Sequence, residues 1–159
     1  MTSNDLNQRI NLGKQLPAAY KELLAMHQSV TRAAVDAGID PQLIELVKIR
    51  ASQLNGCAFC LDMHSRDARQ LGETERRLFV LAAWRETDLY TEQERAALAL
   101  TEAMTNLPID RDVPDEVYQQ AAKAFSNEQL AVVAWAVTVI NTFNRLGVFS
   151  RLALPADPA

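Results

Sequence analysis

Two cysteines, one of the two histidines and one glutamate fall within twenty positions of each other. Glu45 is followed after eleven residues by Cys57, then Cys60, and after three more by His64. A C-x-x-C pair can cycle between dithiol and disulfide, and its reactivity depends on how readily a thiolate forms. If Asn55-Gly56 is a tight junction between helices, Cys57 lies at the N-terminus of the second one. There the unpaired backbone N–H groups and the helix dipole favour a thiolate. Cys60 and His64 follow at spacings of three and four, which projects all three side chains from one helical face.

Glu45 precedes the junction by about as many residues as His64 follows it. At a rise of about 1.5 Å per residue, an antiparallel helix pair brings the two to similar depth. A carboxylate beside an imidazole fixes its tautomer and raises its basicity. The imidazole can then take a thiol proton directly or through water. The expected order is Glu45, His64, then the cysteines. A thiolate formed this way can attack the O–O bond of a peroxide, and its neighbour can condense with the resulting sulfenic acid. Cys60, inside the first turn and nearer His64, is the candidate attacking thiol, and Cys57 the candidate resolving thiol.

Positioning these residues falls to helices. Gly and Pro punctuate the chain at short intervals, and the segments between them carry helical rather than alternating periodicity. The first helix follows Pro17 and stops near Ala37-Gly38. Asp40-Pro41 provides a cap and a first helical residue for a helix ending at Asn55-Gly56. Another opens at about Cys57 and runs to Leu71-Gly72. A shorter one spans residues 74–84. Thr91 and Glu94 form a capping box for a helix reaching Asn106 and ended by Pro108. Pro114 opens one to about Phe125. Ser126 and Gln129 cap the last helix, to about Val148. From Leu130 to Ile140 that helix is apolar nearly all round, so it is expected at the centre of the fold or at a subunit interface, with Trp135 and Trp84 as core aromatics. The fold class is therefore an all-α, single-domain bundle over residues 17–149, with tails at 1–16 and 150–159.

Composition bounds the function. At 159 residues, 48% hydrophobic and 23% charged, the chain can bury a core of its own. A net charge of -4 and a pI near 5.2 leave no electrostatic footprint for nucleic acid. The polar N-terminal segment lacks the apolar stretch of a secretory signal, and the longest apolar run is short of the roughly 20 residues that a spanning helix needs. No membrane association and a cytoplasmic location are expected. In a reducing compartment, two closely spaced cysteines point to redox chemistry or metal binding.

The spacing and wording of the motif resemble the AhpD-like alkylhydroperoxidases of the carboxymuconolactone decarboxylase superfamily. The resemblance rests on residues 50–64 (RASQLNGCAFCLDMH), 84–86 (WRE), 91–95 (TEQER) and 140–146 (INTFNRL), and it covers about residues 17–149. It implies an AhpD-like helical bundle, homo-oligomers (commonly trimers or hexamers), and peroxidase activity through a C-x-x-C disulfide reduced by a thiol or dithiol donor, with no cofactor. By position it makes Cys60 the sulfenic-acid cysteine, Cys57 its resolving partner, and His64 and Glu45 the relay. One position departs: the best-known peroxidase members carry a second histidine just before the later cysteine, where this chain has Phe59. The superfamily's lactone decarboxylases generally lack the cysteine pair, whose presence here argues against that chemistry.

Three other readings stand beside this one. Cys57, Cys60, His64 and Glu45 could supply four ligands to a structural zinc ion. The pair could be inert core cysteines. The disulfide could serve a redox-sensing or interaction protein that turns over little. His27, on the apolar face of the first helix, reads as a core or interface histidine. Asn141, Asn144 and Arg145 are polar groups in an apolar helix that need partners, expected at helix ends or between subunits, with substrate contact as the alternative.

Overall fold

A computed structural model of the chain describes residues 9–156. The expectations for the outermost parts of the two tails, residues 1–8 and 157–159, lie outside the described residues. Among the described residues there is no strand. Nine α-helices follow one another: α1 (Leu12–Gln15), α2 (Pro17–Asp36), α3 (Pro41–Asn55), α4 (Ala58–Gln70), α5 (Glu75–Val80), α6 (Glu92–Thr105), α7 (Leu107–Asp110), α8 (Asp115–Ala124) and α9 (Asn127–Ser150). The fold class is the all-α bundle that the periodicity indicated.

The capping chemistry explains most boundaries. The Asp40 side chain accepts from the N–H of Gln42 at the start of α3, and both capping boxes, Thr91/Glu94 and Ser126/Gln129, are fully formed. Two segments differ from expectation. The helix expected over residues 74–84 breaks at Val80 and continues as a 3-10 turn, Leu81–Glu86, with Ala83 outside helical geometry. The break turns the indole of Trp84 inward, where Nε1 donates to Glu102 at 2.8 Å and Arg95 holds the Trp84 carbonyl. Pro108 does not only end α6. It sits in the first turn of α7, a position that tolerates its missing N–H. Within the segment 1–16, α1 docks on the end of α9 through Leu12 N–H and the Ser150 hydroxyl.

The core is organised around α3. Every residue from Leu43 to Ile49 is buried. Ile44 and Val47 face one apolar cluster with Leu100, Val133 and Val137. Leu46 and Ile49 face another with Leu81, Trp84 and Leu98. α9 packs against α2, α3 and α6. At 24 residues α9 is, by length and composition alone, long and apolar enough to cross a membrane. Its core role holds for Val133, Val137 and Ile140 but not for Trp135, which is 52% exposed. Ala131, Trp135, Thr138 and Thr142 form a solvent-facing stripe down α9.

Glu102 on α6 ties the layers together. It accepts from Arg50 of α3 and Trp84, each at 2.8 Å, and also from Arg85. Arg85 therefore pairs across the fold rather than with its neighbour Glu86. Burial pushes the Glu102 carboxyl up, but these three donors outweigh it and hold the group below its ordinary value. A carboxyl depressed in the folded state contributes stability that is present above the unfolded value, near 4.5, and is lost as pH falls through the lower folded value. We expect Glu102→Gln to lower stability at pH 7 by about 1–3 kcal/mol. Urea unfolding at pH 7 and at pH 3.5 should show a smaller difference between wild type and variant at the acidic end.

Candidate active site

Gly56 ends α3 in the left-handed conformation, at φ 66° and ψ 32°, which a side chain would disfavour. The chain reverses there, and Cys57 becomes the N-cap of α4. Its N–H returns to the Ser52 carbonyl at 3.1 Å. Its sulfur accepts from the Cys60 N–H at 3.3 Å, the place that a capping hydroxyl ordinarily fills. Cys57 and Cys60 form a disulfide with a Cα–Cα distance of 5.3 Å. Both residues are buried, at 1% and 3% exposure.

This disulfide rests on the backbone of α9. A Cβ built on Gly147 would stand 2.8 Å from Cys57 Sγ and 3.6 Å from Cys60 Sγ, so α9 can approach only where it has no side chain. One turn earlier, Asn144 donates to the Ser52 hydroxyl and accepts from Asn55, each at 2.9 Å. Asn141 accepts from the same Asn55 amide at 2.9 Å and donates to Thr105. Asn144 is 1% exposed and has these partners within the chain. The polar groups of α9 therefore lock its middle to the C-terminal end of α3, directly behind the cysteines.

On the other side of the disulfide stands a buried charge group. Glu45 Oε2 lies 2.8 Å from His64 Nδ1, and Glu45 Oε1 accepts from Lys48 Nζ at 2.7 Å. Burial alone would raise the Glu45 carboxyl. The His64 hydrogen bond and the Lys48 charge outweigh it and hold the group below the ordinary carboxylate range. Glu45 is therefore ionised at neutral pH and fixes Nδ1 of His64 as the N–H side of the ring, leaving Nε2 as the free lone pair. Among the described residues no hydrogen bond joins His64 to either sulfur in this disulfide form.

A cavity of about 280 Å³ opens between α2 and α4, with α3 and α9 as its base. That is close to the lower end of the roughly 300–1,000 Å³ usual for small-molecule sites. Cys60 and His64 line it, and Cys57 does not. The three side chains expected on one face therefore divide: Cys60 and His64 face the cavity, while the Cys57 sulfur faces Gly147. Phe59 and Phe143 contribute aromatic wall, and His27 and Lys48 are among its few polar groups. His27 packs edge-on against Phe143, with ring centroids 5.9 Å apart.

The structure places Glu45 beside His64 and Cys57 beside Cys60, as expected, and adds three residues that the sequence reading did not assign to the site. Lys48 could have been found from its i,i+3 spacing to Glu45, and Gly147 as an isolated glycine inside an apolar helix. Nothing local marks His27 as a cavity residue. In this disulfide form the two sulfurs are bonded to each other, so the four ligands of the zinc reading are not gathered as a set. Among the described residues, the donor atoms that converge are those of Glu45, His64 and Asp67, within 4.8 Å of one another, but both Glu45 oxygens are already engaged by Lys48 and His64.

The contact at Gly147 predicts that Gly147→Ala lowers stability by about 1–3 kcal/mol through overpacking. The loss should be larger in the oxidised protein, where the disulfide fixes the sulfur, than after reduction, where the thiol can rotate away. Thermal melts with and without dithiothreitol measure both, and equal losses in the two states would contradict the assigned contact.

Comparison with known proteins agrees with this architecture. The carboxymuconolactone decarboxylase family matches over residues 17–103. The chain is 38% identical over 143 residues to the uncharacterised protein YdfG of Bacillus subtilis (strain 168), covering 90% of this chain and 94% of that one. A crystal structure of a protein of unknown function from Agrobacterium tumefaciens, proposed by its solvers as an antioxidant defence protein AhpD, superposes with a TM-score of 0.86 at 36% identity. It covers 95% of this chain and all of that one. The debrominase Bmp8 shares the fold, with a TM-score of 0.76 at 21% identity, over 90% of this chain and 74% of that one. The matched segment contains Glu45, Cys57, Cys60 and His64, and with the helical fold and the 38% identical relative it shows that the chain is an AhpD-like member of the carboxymuconolactone decarboxylase family.

Proposed function

We propose that the protein is a thiol-dependent peroxidase that reduces hydroperoxides through Cys57 and Cys60, without an organic cofactor or metal. The observation that carries this reading is the asymmetry of the site. Cys60 and His64 line the cavity, with Glu45 hydrogen-bonded to His64, while Cys57 does not line it and caps α4 with its sulfur against Gly147.

In the reduced enzyme, His64 Nε2 takes the Cys60 thiol proton, directly or across a water. Ionised Glu45 stabilises the imidazolium, and Lys48 balances the carboxylate. The Cys60 thiolate attacks the terminal oxygen of the hydroperoxide. An S–O bond forms and the O–O bond breaks. The sulfur gives up two electrons, and the departing alkoxide takes a proton to leave as an alcohol. Cys57, its thiolate favoured at the α4 N-terminus, attacks the sulfenic sulfur. A disulfide forms, and hydroxide leaves as water once protonated. A dithiol donor then attacks the Cys60 sulfur from the cavity. It expels Cys57 as the better stabilised leaving group and ends as a disulfide itself, which restores both thiols. The same reading includes a cytoplasmic location and a homo-oligomer, as the family resemblance implies.

A second reading draws on the seat of the disulfide on α9: a redox-responsive protein in which oxidation alters α9 packing and assembly. The two differ in cycles per subunit, because a sensor reacts about once and then changes size on a sedimentation run.

Turnover of cumene hydroperoxide with dithiothreitol as donor tests the enzyme reading. We expect Cys60→Ser to abolish it. Glu45→Gln and His64→Gln should each lower kcat/KM by about 100-fold or more, the usual worth of a positioned general base. Undiminished turnover in Cys60→Ser would falsify the mechanism.

A further inference from the structure

The cavity holds a polar group that the mechanism above does not use. Most polar side chains on its wall are already engaged within the protein. Lys48 and His64 share Glu45, and the Thr31 hydroxyl donates to the His27 carbonyl at 3.0 Å. Tyr20 and His27 have no hydrogen-bond partner for their side chains among the described residues. Tyr20 is 38% exposed and reaches solvent, whereas His27 is half-buried among the apolar lining residues. An edge-on contact with Phe143 sets the plane of its ring.

The charge state of His27 fits an uncharged ligand. Burial pushes its pKa below the ordinary value, the Lys48 charge and His64 push it the same way, and the Glu45 carboxylate opposes them without reversing the direction. A neutral imidazole carries one donor and one acceptor nitrogen. Placed in an apolar pocket, those two atoms complement a hydroxyl or hydroperoxy group on an apolar body. Left without a partner they are only partly compensated by water.

We propose that His27 is a substrate-contacting specificity residue, which hydrogen-bonds the oxygen that stays on the organic body of the substrate while the apolar body lies against Phe59 and Phe143. This rests on the peroxidase reading for the identity of the substrate. It concerns binding alone, however, and the oxygen in question is still present in the product alcohol. The site thereby distinguishes hydroperoxides that carry an apolar group from hydrogen peroxide, whose body offers nothing to the aromatic wall.

The test uses two uncharged probes of nearly the same shape, 2-phenyl-2-propanol and its oxygen-free counterpart tert-butylbenzene. Their binding to the oxidised protein is followed by NMR. In the wild type the alcohol should bind more tightly and should shift the His27 ring signals. His27→Phe keeps a ring against Phe143 and should weaken alcohol binding by about three- to tenfold, the range of one neutral hydrogen bond, and leave tert-butylbenzene unchanged. His27→Gln, which keeps a donor, should recover part of the alcohol preference and serves as the second variant if His27→Phe folds poorly. Equal losses for both probes, or an unmoved His27 signal while the Phe143 signals shift, would overturn the assignment. Absence of peroxide turnover in the wild type, with these binding results intact, would defeat the peroxidase reading and not this one.

Discussion

The close approach of α9 to the α3–α4 junction is the constraint on which the rest of the structure depends. A buried disulfide occupies space that a side chain on the facing helix would otherwise fill, and Gly147 is the position where α9 gives that space up. The approach brings polar backbone and side chains into the interior, which is costly unless each finds a partner. Ser52, Asn55, Asn141 and Asn144 supply those partners to one another. The helix junction is therefore held from behind by hydrogen bonds and from the front by the sulfurs. Such a site keeps its geometry because both of its walls belong to long helices rather than to loops.

The buried charges follow from the same arrangement. α3 is enclosed on all sides, so a carboxylate at position 45 has little water to solvate it. Its ionisation depends on His64 from α4 and on Lys48 one turn along α3. The three groups answer one another: the carboxylate orients the imidazole, and the ammonium offsets the carboxylate. The remaining ring nitrogen of His64 is then the one part of the group free to act as a base on the cavity side. Electrostatics and packing thus select which sulfur meets the cavity and which is shielded.

That division gives different surroundings to the two ends of a motif that is symmetric in sequence. Cys57 is an N-cap and Cys60 lies within the first turn, and this difference of three residues puts one sulfur tightest against the α9 backbone and the other on the cavity wall. The family relationship is consistent with this economy. A compact set of helices, held by a few buried polar contacts, carries both the cysteine junction and the cavity lining supplied by α2 and α9.

Much of the arrangement was legible locally. Helix limits followed from Asp40-Pro41, Thr91/Glu94 and Ser126/Gln129, because caps are short-range hydrogen bonds between residues a few positions apart. Glu45, Cys57, Cys60 and His64 could be placed together because one tight turn at Gly56 relates two regular helices, and helical rise is fixed. The split of the helix at Val80 could not be foreseen, since it answers to Glu102 some twenty residues later. Neither could the exposure of Trp135, since an apolar helix does not announce which of its faces will find neighbours. Sequence by itself determined the helices, the junction and which cysteine, histidine and carboxylate side chains gather beside it, all of which rest on interactions spanning a turn or two. Only the tertiary structure decided which sulfur faces the cavity, that Gly147 gives the disulfide its seat, and that His27 joins the pocket. Those depend on helices far apart in the chain meeting at a depth and rotation set by the whole core.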